Sequence, residues 1–590
     1  MLSSSIKVGL WLSLAATVAA QDQDPLDDNY WQFKSRPDLY PSKLFVNTTG
    51  DGLAPGYIFM APYQSPQQSA TIYEQDGTPV WFGWGVTGGS GVHDFKVCQH
   101  NGSDHLCYFE GYQYLGYARG QTVIMDTSLR PVKTITAMNG MSAIDQHEFR
   151  VVGDSAITSI YHPERYDLSA FNITGGEGWI QNGMIQDYNM TTGELNFEWS
   201  AIEHVALSEG YVDANQSEVA GTGFSALSPW DYFHINSVDK NDEGDYLISA
   251  RHTSTLYKIN GQTGEIIWRC GGKLSDFQMQ NGLNWSYQHD ARWMSYNAST
   301  DIISFFDNAS NGFNQSAEHS GGYLIKLNHE ATPPTVELLQ SFQAPEDLPI
   351  SASQGNIQIL NRDDWANSNA FLNWGSQPCV TEHAPDGTIL YRAAVASDGQ
   401  MNYRGYKFNI ALTPYDRPAL YTYAVSTNDD TTYYMSWNGA TEVATWRIYG
   451  RAACDGDWTL INEAPKDGFE TNFTAPGYQE FGMVEAVAAN GTGLKNSTNK
   501  GVKAFVPSAS LSQSCSADGC QTVDTYGIST GQEVVADTRA GCAALAVSTA
   551  STEEEQGLES TQSKAAMLGS GITSTASISV VAMLVIGLLM

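Results

Sequence analysis

The sequence predicts an all-β protein: a six-bladed β-propeller, then a β-sandwich, then a disordered stalk rich in Ser and Thr. Three observations carry that expectation. One short string recurs six times along the chain. A second motif, built on His in four of its five copies, precedes five of those strings. The composition, with Gly 55, Tyr 30, Trp 15 and only 16% charged residues, suits strands and turns better than long helices.

The recurring string is an apolar strand, an Asp or Asn, a Gly-type turn, and a second apolar run often ending in Trp. It reads Ile72–Trp81, Val123–Ile135, Met184–Trp199, Leu256–Trp268, Leu324–Leu339 and Val380–Tyr391. Alternation and turn residues make each copy a β-hairpin. Repetition at intervals of roughly 50–70 residues means radial or solenoid stacking. The second motif opens a strand ahead of five hairpins: His93-Asp94-Phe95, Gln146-His147-Glu148, Phe233-His234-Ile235-Asn236, Gln288-His289-Asp290 and Gln354-Gly355-Asn356. A further apolar strand follows each: Cys107–Glu110, Ala156–Tyr161, Tyr246–Ser249, Ile302–Phe306 and Ala370–Trp374. Four antiparallel strands per unit is the pattern of a propeller blade. The first unit lacks the motif, and its missing strand is either Lys43–Asn47 or Tyr403–Ile410 returning to close the ring. The propeller is placed over residues 36–410.

In a propeller the first strand of each blade lines the central channel. The motif residues would therefore gather at one mouth, where the second strands also end. This predicts a polar funnel of His93, His147, His234, His289, Asn236, Arg292, Asn356, and either Arg251 or His252, since neighbours on a strand face opposite sides. Trp374 would stand at the same mouth. Asp94, Glu148 and Asp290 would point to the other strand face and bridge blades. His100, His105, His204, His319, His329 and His383 fall in loops or hairpins away from the mouth.

Residues 415–507 change texture to short alternating strands such as Tyr433–Trp437 and Val443–Tyr449. A Trp in an early strand and the aromatic corner near Tyr478–Phe481 are similar to a fibronectin-type III module. Residues 508–577 read as a low-complexity stalk. Residues 1–20 read as a secretory signal, with Lys7, an apolar run and Val18-Ala19-Ala20 before Gln21. The apolar tail 578–590 is short for a span and resembles a GPI-attachment signal, the alternative being a tail anchor. An exported chain can be glycosylated at Asn47, Asn101, Asn172, Asn189, Asn215, Asn284, Asn297, Asn308, Asn314, Asn472, Asn490 and Asn496. Cys98 and Cys107 flank the turn Asn101-Gly102 and are the best disulfide pair, Cys515–Cys520 a weaker one, and Cys270 a candidate free thiol.

Lys+Arg 30 against Asp+Glu 64 gives a net charge of −34, which argues against nucleic acid and against docking on an anionic membrane. No G-x-x-x-x-G-K-[ST] or G-x-S-x-G string and no Cys/His zinc spacing appears, and no cofactor is expected.

Three strings, Asp231–His252, Gln288–Trp293 and Gln354–Gln358, resemble the arylsulfotransferase superfamily, most closely its fungal secreted branch. The resemblance implies a six-bladed propeller and transfer of a sulfuryl group from a phenolic sulfate ester to a phenol, without a nucleotide donor, through a transiently sulfurylated channel His. Carried over by position, His234, His289 and Arg251 would be catalytic; the repeat itself sets His93, His147, His252, Asn236, Arg292, Asn356 and Trp374 around the substrate. One departure falls in a later blade, where the resemblance places the nucleophile and this chain has Gln354-Gly355-Asn356. The alternatives are a metal-dependent propeller lyase or hydrolase, because three channel His could hold Zn²⁺, and a non-catalytic surface binding propeller. Oligomeric state is not legible in the sequence.

Overall fold

The computed structural model describes residues 28–507, apart from 49, 88–90, 172, 174–176, 216–218, 397–398 and 454. The leader, the stalk, the tail, Cys515–Cys520 and Asn172 lie outside the described residues. Within them the protein is nearly all-β, and its only helical elements are four short 3-10 turns. No helix among the described residues is long and apolar enough to cross a membrane.

The strands fall into successive antiparallel four-strand groups. The first comprises Tyr57–Met60, Thr71–Tyr73 and Pro79–Phe82, with Tyr406–Phe408 as its innermost strand. The next two run Gly91–His100, Ser103–Gln113, Ala118–Met125, Pro131–Ile135 and Ile144–Val152, Ser155–Asp167, Glu177–Asn189, Leu195–Ser200, joined by one pairing of Gly120 with Ile144. Then come Ile235–Lys240, Tyr246–Ala250, Thr255–Ile259, Ile266–Gly271 and His289–Tyr296, Thr300–Asp307, Gly321–Asn328, Thr335–Gln343. The last is Asn356–Ile359, Ala370–Asn373, Cys379–His383, Ile389–Val395, with Leu44–Thr48 added outside. All six hairpins expected from the string are present.

First strands of successive groups pack side by side, and Tyr406–Phe408 closes the cycle between Gly91–His100 and Ala370–Asn373. The arrangement is propeller-like. Of the two sequence options for the missing strand, the Tyr403–Ile410 segment supplies it, while Leu44–Thr48 caps the last group. Apolar layers such as Ile72, Trp81, Phe95, Tyr108 and Val123 fill the space between neighbouring groups and bury their apolar surface.

Beyond residue 418 a three-stranded sheet, Ala419–Tyr423, Thr431–Ser436 and Glu470–Ala475, faces a second sheet built on Val443–Arg451 and Phe481–Ala488. Tyr433, Met435, Trp446, Ile448 and Val484 form their shared core. Cys98 and Cys107 are disulfide-bonded, as the turn between them suggested, and Cys270 and Cys379 are free and buried.

The first strands carry the chemistry because they are irregular. Pairing slips between His93 and Lys96 and between His289 and Arg292. The residue after each His, Asp94 at φ 54° and Asp290 at φ 59°, takes the left-handed conformation of a bulge, and His234 does so itself at φ 56°. Each bulge redirects consecutive side chains, so the imidazoles collect in one cluster while Asp94 and Asp290 enter a separate ion-pair hub.

Candidate functional site

Five imidazoles and two phenols meet where the first strands begin. Ring centroids lie 4.8 Å apart for His147 and His234, 4.5 Å for His234 and His252, and 5.1 Å for His147 and Tyr161. Tyr403 stands 6.0 Å from His93 and 5.5 Å from His147. His289 joins through the backbone: its Nε2 accepts the Gln354 N–H at 3.3 Å. Arg251 adds the one guanidinium, its Nη1 2.9 Å from His252 Nε2. None of these six His and Arg side chains is more than 6% exposed.

Hydrogen bonds fix the tautomers. His234 Nδ1 lies 2.5 Å from Asp231 Oδ2, and His147 Nδ1 bonds Asp145 Oδ1. His252 Nδ1 lies 2.5 Å from the Asp231 carbonyl. Asn308 Nδ2 donates to the carbonyls of Ser351 and Gln354, so its Oδ1 is the atom facing His289 Nδ1 at 2.5 Å. An acceptor oxygen on each Nδ1 places the proton there and leaves Nε2 with the lone pair. At His252 and His289 that lone pair is committed to Arg251 and Gln354. At His147 and His234 it has no partner among the described residues, so these two can attack an electrophile or carry a proton.

Burial sets the protonation states. His93 falls to about 4, through burial first and then His147 nearby. Burial also pushes His234, His252 and His289 well below the ordinary imidazole value, with His147 and Arg251 adding to it at His234, His234 at His252, and Arg251 at His289. Burial lifts Asp231 to about 6 against the pull of His252 and His147, and lifts Asp307 to about 7 against two backbone N–H donors. Arg251 drops to about 10, again through burial, and stays charged at neutral pH.

These shifts give a signed expectation. Unfolding returns the imidazoles to about 6.5, so between about pH 4 and 6.5 the unfolded chain binds more protons and acid destabilises the fold. Asp231 and Asp307 act in the opposite sense, because the folded state keeps their protons at a pH where the unfolded chain has lost them. Four imidazoles outweigh two carboxyls, and a net uptake of roughly two protons on unfolding is expected near pH 5.5. Denaturant midpoints should fall from pH 7 to pH 5, and a rise would show that the cluster is already protonated.

The structure corrects several sequence expectations. Arg251 and His252 both join the cluster, because the strand ends at Ala250 and the turn that follows is not bound by alternation. Arg292 is not at the mouth: its guanidinium is spent on Glu148 and Asp290, both at 2.6 Å, and on the Val238 carbonyl. Asn356 clasps the backbone of Gly405 through both side-chain atoms. Asn236 donates to the Gln288 carbonyl at 2.6 Å and ties two first strands together. Trp374 is fully buried against Phe306, its Nε1 donating to Thr381, and offers no face to an aryl ring. Asn308 is fully buried with its amide nitrogen engaged twice, which leaves no room for a glycan.

Sequence reasoning placed Tyr161 and Asn308 at the mouth, where second strands end, without naming them as site residues, and it missed Asp145, Asp231 and Tyr403. Two of these carried a usable signal, an Asp two or three residues before the motif His. It also left Arg404 unremarked. That guanidinium is fully buried and reaches Asp94 at 3.0 Å, Glu148 at 3.3 Å and Asp290 at 3.6 Å. With Lys96 and Arg292 it forms a hub of three cations and three carboxylates, and Asp94, Glu148 and Asp290 do bridge neighbouring strands there.

Asp231, His234 and His252 place ligand atoms within 4.8 Å of one another, close enough for a metal ion. The donor set fits one poorly. His252 Nε2 already faces the Arg251 cation, and both Nδ1 atoms are held by oxygens of Asp231. Two cavities stand elsewhere: one of about 500 Å³ beside Glu74, Asp76 and Lys466, and one of about 240 Å³ beside Arg150, Asp239 and Arg362.

A propeller-like ring of antiparallel sheets, with five buried imidazoles and the Arg251 guanidinium gathered where its first strands begin, defines an all-β protein with a buried His–Arg cluster. The chain belongs to the arylsulfotransferase (ASST) family, whose model matches residues 96–396, about half of the sequence. Its function is arylsulfotransferase-like, and its substrates are aryl compounds in general. No curated protein matches it. Solved structures show only distant likeness. A protein of unknown function from Bacteroides caccae is 11% identical, with 60% of this chain and all of that chain covered and a TM-score of 0.35. A protein from Lactobacillus plantarum is 9% identical, covering 70% and 97%, with a TM-score of 0.29. Kuenenia stuttgartiensis hydrazine synthase is 10% identical, covering 62% and 100%, with a TM-score of 0.28.

Proposed function

We propose that this protein moves a sulfuryl group from a phenolic sulfate ester to a phenol at the histidine cluster of a six-bladed propeller. The single observation behind this is Arg251. It is a buried guanidinium with no ion pair among the described residues: Nη1 meets a neutral imidazole, Nη2 the Ala352 carbonyl at 2.8 Å, and Nε nothing. A buried cation in that state is a site for an anion.

The chemistry follows from the tautomers. Arg251 holds the sulfate oxygens. His234 Nε2 attacks sulfur, the S–O bond to the donor phenol breaks, and an N–S bond forms. Charge that develops on the His234 ring is met at Nδ1 by the Asp231 carboxylate. The donor phenol leaves as its phenolate. His147 Nε2 then takes the proton of the acceptor phenol as that oxygen attacks sulfur, the N–S bond breaks and His234 is restored, and the proton passes from His147 to the released phenolate. The neutral imidazole and the water-poor setting favour transfer over hydrolysis. Around this site the proposal includes a fibronectin-III-like sandwich over residues 415–507 and export to the cell surface, with a signal peptide at 1–20, a stalk and a GPI-type C-terminal anchor.

The purified protein is tested with 4-nitrophenyl sulfate and phenol. The expected result is nitrophenolate release that requires phenol and matches phenyl sulfate formed. Release without phenol, yielding inorganic sulfate, would make it a hydrolase. Loss of turnover on chelation would favour the Asp231–His234–His252 metal reading. Binding without any turnover would leave a surface binding propeller.

A further inference from the structure

We infer that the tip joining strands Ser103–Gln113 and Ala118–Met125 is a docking track that takes an aryl anion from solvent and leads its ring to the histidine cluster. Gly91 pairs with Gly111, so the tip projects past the start of the first strand, over the same end as His93. Tyr112 and Tyr114 stand there 68% and 43% exposed, which core packing does not explain. Their rings begin a continuous series. Tyr112 meets Tyr114 edge-on at 5.3 Å, and Tyr114 stacks on Tyr117 at 5.1 Å. Tyr117 lies parallel to Tyr161 at 6.1 Å, and Tyr161 stacks on His147 at 5.1 Å. The series therefore runs from solvent to the proton carrier of the proposed reaction.

Arg119 supplies the charge. Its guanidinium lies 5.6 Å from the Tyr114 ring and 5.8 Å from the Tyr117 ring. Its Nε is buried without a partner, and it makes no hydrogen bond or ion pair among the described residues. In a chain of net charge −34, such a cation on an aromatic floor selects a ligand with an anionic head and an aryl body. The tip is also aimed. A Cβ on Gly120 would meet the Glu110 carbonyl at 2.1 Å, and one on Gly111 the Arg119 carbonyl at 2.5 Å, so the strands approach here as only glycines allow. On its far side a Cβ on Gly116 would meet Val219 at 2.6 Å, which fixes the tip against the segment leading to His234.

The track rests on the proposed transfer only for its direction, and binding can be read without turnover. Calorimetric titration of the full chain with 4-nitrophenyl sulfate, methyl sulfate and an uncharged 4-nitrophenyl glucoside tests it, alongside transfer kinetics. Arg119→Gln and Tyr114→Ala are each expected to weaken aryl sulfate binding and raise KM about tenfold, with kcat and the melting midpoint kept. Methyl sulfate and the glucoside should bind more weakly than aryl sulfate to the wild type. Unchanged aryl sulfate affinity in both variants, equal affinity for methyl sulfate, or a fall in kcat at constant KM would overturn the track. Arg119-dependent binding without transfer would sink the transfer reading and keep the track. Normal transfer with both variants matching the wild type would do the reverse.

Discussion

Replacing His234 by Ala is expected to lower phenol sulfotransfer by about a thousandfold or more while the protein stays folded. His234 is the imidazole whose Nδ1 is held by a carboxylate and whose Nε2 has no partner among the described residues, beside the Arg251 cation. Its loss removes one side chain of the polar cluster and no apolar core residue, so stability should change within the usual range of about 0.5–3 kcal/mol. Asp231→Asn should cost a comparable amount, because it keeps the geometry but loses the charge behind the ring and the tautomer that charge fixes. His289→Ala should cost less, since its Nε2 is already engaged by Gln354. Rapid quench with labelled donor should find label on the peptide that carries His234. A folded His234→Ala protein with full turnover moves the nucleophile elsewhere, and unfolding of both His variants makes them structural latches.

Arg404→Met is the substitution expected to damage the fold most. It strips the shared guanidinium from Asp94, Glu148 and Asp290, all buried. Burial alone pushes the Glu148 carboxyl up, and Arg292, Arg404 and Lys96 outweigh it and hold that carboxyl well below its ordinary value. A buried acid that loses its partner costs about 3–5 kcal/mol. Adding Glu148→Gln should recover part of the loss, because it removes the stranded charge while the other pairs persist. Denaturant midpoints of the two proteins decide this, and wild-type stability in Arg404→Met would show that the hub is held by something other than its charges.

Much of the fold was legible because hairpins announce themselves locally. Asp76-Gly77 and Thr263-Gly264 are turn residues flanked by apolar runs, and the strands stand on either side of them. The histidines were legible because they open strands of a repeating unit. Arg251 and His252 could not be sorted by alternation, which fails once a strand ends. Arg292, Asn356 and Trp374 look like site residues in sequence, yet each is bound to a partner far away in the chain. Tyr403 and Arg404 lead into the strand that returns from the far end of the ring to the first group, and they carry none of the motif's residues. Only closure of the ring brings them to its axis, and no pattern inside one unit encodes that.

That closure has a consequence for biosynthesis. The innermost strand of the first group, Tyr406–Phe408, is made last, and Leu44–Thr48 waits for Ile389–Val395. During translation the ring therefore stays open, with unpaired edges at both ends and the acids of the hub lacking their shared cation. A chain that stops before residue 404 carries all five clustered histidines but lacks the guanidinium shared by Asp94, Glu148 and Asp290. Assembly of the site is thus timed by the last strand of the ring to emerge, and the ion-pair hub stays incomplete until then.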